Sequence, residues 1–156
     1  MSNQPQQVRM HGFTLVEVLV ALVVMTVGML GIAVLYVEGL RMNRTSINRT
    51  VAVNLATDMA ERIRSNSDAQ RSYAGEGPGA NNRCVNGNNV LCSTQQQAAD
   101  DWWWWLRDVQ AHLPAGVTAQ IDVDPVGQQL WQYQIQLQWP ETGQVEPARF
   151  MLPIQL

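Results

Sequence analysis

The sequence predicts an α+β protein: one long N-terminal helix, a second helix, and a small antiparallel sheet of about three strands. Three observations predict it. Residues 18–37 are twenty in a row without a charge. Leu40, Ile47, Val51, Leu55, Met59 and Ile63 then recur at helical spacing, and no Pro interrupts residues 13–66. Near the C-terminus the period changes to two, where Trp131, Tyr133, Ile135, Leu137 and Trp139 alternate with four glutamines.

Twenty apolar residues rising about 1.5 Å each span roughly 30 Å, the hydrocarbon thickness of a bilayer. A secretory signal peptide would have a shorter apolar run and a small-x-small cleavage site after it. Residues 34–39 offer no such site, so an anchor fits better. Arg9 lies on its N-terminal flank and Glu38 on the other, which favours a cytoplasmic N-terminus. Residues 1–12 then form a polar leader, 13–37 the membrane-crossing half of the helix, 38–66 its amphipathic half and 67–156 a head outside the cytoplasm.

Gly28 and Gly31 are the weak points of the long helix, each costing about 1 kcal/mol relative to Ala. They suit either close packing against a neighbouring helix or a place where the helix bends. Residues 66–93 are rich in Gly, Asn and Ser and read as a loop. Within it Cys84 and Cys92 flank the tight-turn pair Asn86-Gly87, so an oxidising compartment would close this loop with a disulfide. A metal site is the weaker rival, since no His or further Cys lies nearby. The second helix is expected from Ser93 or Thr94, with Thr94 and Gln97 as a capping box, to about Leu113, before Pro114 and Gly116. Its apolar face carries Ala98, Trp102, Trp105, Leu106, Val109 and Leu113. The three strands centre on Val117 to Val123, Trp131 to Trp139 and Phe150 to Leu156, and their buried face has the long helix as its partner.

Charge narrows the function classes. All ten basic residues are Arg, against thirteen acids, a net charge of −3. An acidic chain without a basic patch is a poor nucleic-acid binder. No Ser/His/Asp or Cys/His set supports nucleophilic catalysis, so neither an enzyme nor a cofactor is expected. Asp100 and Asp101 diverge by about 100° on a helix and are expected to solvate its polar face. Asp122-Val123-Asp124-Pro125-Val126-Gly127 opens like a calcium loop but has Val126 and Tyr133 at the fifth and twelfth positions, so no metal is expected. His112 suits a helix C-terminus. Trp102 to Trp105 cannot all face one core. Trp103 and Trp104 are left for plain packing, a subunit interface or a sugar-stacking site, and the residues alone do not choose among these.

Glu17, the only acid before the apolar run, could simply favour a helix start through the macrodipole. A carboxylate entering lipid also strongly favours an opposite charge. The whole stretch Gly12-Phe13-Thr14-Leu15-Val16-Glu17 before that run resembles the processing signal of type IV prepilins and pseudopilins. The resemblance implies a type IV pilin-like fold, cleavage by prepilin peptidase between Gly12 and Phe13, and N-methylation of Phe13. It also implies that Glu17 pairs with the terminal amine of a neighbouring subunit. Val27-Gly28-Met29-Leu30-Gly31-Ile32-Ala33 and Asn54-Leu55-Ala56-Thr57-Asp58-Met59-Ala60-Glu61-Arg62-Ile63-Arg64-Ser65-Asn66 resemble the minor pilins of the PilV kind. These imply a role in priming pilus assembly at the inner membrane, with other minor pilins, the major pilin and a tip adhesin as partners. Three rivals compete: a minor pseudopilin of a type II secretion system, a membrane-tethered adhesive module that binds glycans through Trp103 and Trp104, and DNA uptake through a competence pilus, which the acidic balance disfavours.

Overall fold

Thr14 begins the first element. Its hydroxyl and carbonyl oxygens both accept from the backbone N–H of Glu17, at 3.3 and 3.1 Å, so it satisfies a donor that the first helical turn leaves over. From there the computed structural model, which describes residues 12–84, 91–127 and 130–156, has one helix α1 over Leu15–Ser65. The chain divides into two units, Met1–Arg41 and Met42–Leu156. In the first, α1 is apolar on every side and long enough to cross a membrane. Gly28 and Gly31 sit within the unbroken helix, and a Cβ added at either would meet open space.

The second unit holds the rest of α1, a 3₁₀ segment Ser67–Tyr73, helix α2 over Thr94–His112 and strands β1 Thr118–Val126, β2 Leu130–Trp139 and β3 Ala148–Gln155. The strands form one antiparallel meander in the order β1-β2-β3. Ile121 lies opposite Ile135, which lies opposite Leu152, so the alternation becomes one buried face. Both prolines in strands, Pro125 and Pro153, lie on the outer strands, where a missing N–H is tolerated. Gly75 adds a single antiparallel bridge to Ile121 at the β1 edge.

Tyr133, Ile135, Leu137 and Trp139 share one core with Trp102, Trp105 and Val109 of α2 and with Ala52, Ala56, Met59, Ala60 and Ile63 of α1. The expected α1 stripe holds in its second half, where Met59 and Ile63 are fully buried, and fails in its first. Leu40 and Ile47 are 49 and 53% exposed, Val51 and Leu55 half-buried. Alanines 52, 56 and 60, one turn apart, share the buried face with Met59 and Ile63. Small side chains let large aromatic rings from α2 and the sheet approach the helix backbone, which bulky Leu and Ile would hold off.

The start of α2 also differs by one residue from the expected capping box. Ser93 is the N-cap: its hydroxyl accepts from Gln96 N at 3.2 Å, while Gln96 Oε1 accepts from Ser93 N at 2.9 Å. Serine and glutamine three apart satisfy two orphan donors reciprocally, and Thr94 becomes the first helical residue. Cys84 and Cys92 are joined by a disulfide with Cα atoms 5.9 Å apart. The Asn86-Gly87 turn expected between them lies outside the described residues.

Candidate functional site

Two regions carry the residues singled out by the sequence. The first is the start of α1. Phe13 is 82% exposed just before the helix, and Glu17 stands in the first turn, where the positive end of the macrodipole suits an acid. Phe13 and Glu17 line one apolar surface with Val18, Ala21, Leu22 and Met25. Glu17 has no ion-pair partner among the described residues, so its carboxylate stays available to a cation from outside the chain. Gly12 directly precedes Phe13 in a non-helical stretch.

The second region is α2 with a strap, residues 74–84, that crosses it. Trp102 and Trp105 face the core, their rings edge-to-face at 5.2 Å. Each indole N–H finds a carbonyl: Trp102 Nε1 donates to Tyr73 O at 2.8 Å, and Trp105 Nε1 to Leu55 O of α1 at 2.7 Å. Trp103 and Trp104 turn to the other side. They are half-buried, edge-to-face at 4.7 Å, with the Arg107 guanidinium 4.5 Å from the Trp103 ring centroid and 6.0 Å from that of Trp104.

Gly79 holds the strap against α2. It adopts a φ of +72°, and a Cβ there would be driven into the Ala99 carbonyl and to 2.7 Å from both Trp102 Cβ and Trp103 N. Ala80 N also donates to Ala99 O at 2.9 Å. Gly79→Ala is expected to cost about 1–3 kcal/mol through overpacking and left-handed strain. A thermal melt checks this: the midpoint should fall by several degrees, whereas Gly143→Ala, also at positive φ but in open space, should lower it less.

Asp100 and Asp101 overturn the expectation that they solvate a polar face. They are 0 and 2% exposed. Asp100 Oδ1 accepts from Asn82 N at 2.6 Å and Arg83 N at 2.9 Å, tying the strap next to Cys84. Asp101 accepts from Tyr73 Oη at 2.7 Å and pairs with Arg62 Nη1 at 3.5 Å. Arg62 is held in turn by Asp58 at 2.8 Å, and burial of its charge is outweighed by these two acids, so its pKa is raised. The signal for Asp101 was in the sequence. It lies three residues after Ala98 and four before Trp105, on the apolar face itself. Asp100 had no such signal, because its partners come from the strap.

Burial raises the Asp101 pKa above the usual carboxylate range, although the Tyr73 hydrogen bond and the Arg62 charge oppose it. Burial, with the hydrogen bond to Asp101, likewise pushes the Tyr73 phenol well above its usual value, and burial alone raises Tyr133. The folded chain holds the Asp101 proton more tightly than the unfolded one. Stability from this group is thus full below the ordinary carboxylate range and is lost as pH rises through the raised folded value. Asp101→Asn, neutral at every pH, should remove that slope. Urea midpoints of the two proteins across the acidic range check it, and a constant difference between them would contradict it. Asp101→Ala, which takes the 2.7 Å acceptor from the Tyr73 hydroxyl and one of the two acids from Arg62, should cost about 1–3 kcal/mol.

Among the described residues no cluster of three or more His, Cys, Asp or Glu could hold a metal ion. Residues 8–33 match the prokaryotic N-terminal methylation motif. Residues 34–103 match the Tt1218-like family, described as type IV pilin Tt1218. That second match reaches past residue 66, where the sequence resemblance stopped, through the disulfide and the first half of α2. No curated protein and no solved structure matches the chain. The motif implies processing by prepilin peptidase and incorporation in a pilus, and the matched family is structural rather than enzymatic. The two matches meet on one unbroken helix, and with the three-stranded meander and second helix the chain is similar in fold to type IV pilins.

Proposed function

We propose that the chain is a minor type IV pilin of the PilV kind, cut between Gly12 and Phe13, methylated on Phe13, and engaged in starting pilus assembly. The observation that carries this is the start of α1: an exposed Phe13 and a Glu17 without an ion pair among the described residues share one apolar surface at the head of a membrane-length helix. A neighbour's terminal amine beside Glu17 would complete the pair that a lipid-facing carboxylate favours. The Pro-free helix and the two PilV-like segments support a minor role over that of the bulk filament subunit. In this reading the N-terminus is cytoplasmic, the helix is held in the inner membrane, and the Met42–Leu156 unit works outside the cytoplasm.

The partners are prepilin peptidase, the other minor pilins, the major pilin and a tip adhesin. Trp103 and Trp104, stacked under Arg107 on the outside of α2, offer them a subunit contact. Deleting the gene distinguishes this function from that of a type II secretion pseudopilin. Loss of surface pili and of twitching motility with normal exoprotein secretion is expected; the reverse pattern would overturn the proposal.

A further inference from the structure

The face of the sheet opposite the core is built of amides. One cross-strand row is Thr118, Gln138 and Arg149, and the next Gln120, Gln136 and Met151. Glu76, from the strap, joins Thr118, Gln120, Gln136 and Gln138 around a depression of about 210 Å³. Its chemistry is set from beside it. Asp122 takes the Nε2 of Gln120 on one carboxylate oxygen and the Nε2 of Gln136 on the other, both at 2.7 Å. With the nitrogens turned to Asp122, both Oε1 atoms are turned from it, and neither accepts a hydrogen bond among the described residues. The depression is thus lined by two glutamines whose amides Asp122 orients and by the exposed Glu76, which has no ion pair among those residues.

We propose that this depression binds a guanidinium group. A planar fork of five N–H donors suits carbonyl oxygens held in fixed positions beside a carboxylate. The same face already uses this chemistry: with its amide oriented to suit, Gln138 Oε1 accepts from Arg149 Nε and Nη2, each at 3.2 Å. No aromatic ring lines the depression, so a sugar would lack a stacking platform. Two sources can supply the guanidinium. One is a separate molecule. The other is a second copy of this chain, through Arg44 or Arg49, which are exposed, lie in a stretch (39–57) without any acid, and form no ion pair among the described residues.

The test uses the full chain in neutral detergent, titrated with agmatine while the side-chain amide NMR signals of Gln120 and Gln136 are followed. Saturable shifts of both signals are expected, about tenfold weaker with butylamine, whose ammonium has no planar fork. Glu76→Gln, an exposed substitution that leaves the core untouched, should weaken agmatine by about tenfold. Absence of saturable shifts, or equal response to butylamine, would overturn the proposal. Sedimentation then assigns the source. If a second copy supplies the group, the Arg44→Gln, Arg49→Gln double variant and added agmatine both shift the chain toward monomer. If association ignores both while agmatine still saturates the site, the guanidinium comes from a separate molecule.

Discussion

Replacing Trp105 by Ala is expected to cost about 3–5 kcal/mol and to bring the Met42–Leu156 unit to the edge of unfolding. Small domains have only about 5–15 kcal/mol in total, so the loss is a large share. Trp105 is fully buried at the point where α1, α2 and the sheet share one core, and its indole N–H is bonded to the Leu55 carbonyl. Removing the ring leaves a cavity in a core whose α1 side includes Ala52, Ala56 and Ala60, side chains too small to fill it. Trp105→Phe keeps most of the apolar contact and loses the hydrogen bond, for about 1 kcal/mol. Trp103→Ala, on the outer side of the same helix, should cost less than Trp105→Ala. Thermal melts of the three variants in one detergent provide the ranking. A Trp103→Ala protein less stable than Trp105→Ala would reverse the assignment of core and surface.

Substituting Glu17→Ala should leave membrane insertion intact and lower surface piliation by about two orders of magnitude. Breaking a charge pair out of reach of water costs about 3–5 kcal/mol, because the remaining charge is stranded. Each 1.4 kcal/mol is a factor of ten in an equilibrium, so one such contact suffices. The helix itself should be indifferent, since Thr14 provides the cap and the apolar run is unchanged. Glu17→Asp, with the charge kept on a shorter stem, should retain part of the assembly. Membrane fractionation and counts of surface pili measure the two effects separately. Unchanged piliation with Ala at this position would remove the ion pair from the mechanism.

Much of the architecture was legible because its signals are periodic. The charge-free run, the Pro-free helix and the glutamine alternation gave α1 and the meander, and helix geometry alone divided Trp102 and Trp105 from Trp103 and Trp104. What escaped came from contacts between distant segments. Alanines 52, 56 and 60 look neutral in the sequence, yet they join the packing stripe because the residues facing them are large. Asp100 reads as a solvated acid until the strap held by Gly79 brings the Asn82 and Arg83 amides over it. Arg9 and Glu38 on the two flanks of the apolar run favour a cytoplasmic N-terminus. Arg41, Arg44 and Arg49 on the far flank outnumber Arg9, so arginine counting alone favours the opposite topology. A cytoplasmic N-terminus therefore rests on processing of the leader.

That processing is also the most direct test of the whole account. Intact-mass and N-terminal peptide mass spectrometry of the chain purified from membranes should find a mature protein beginning at Phe13, its amine carrying one methyl group. A chain retaining Met1, or cut after the apolar run, would contradict it.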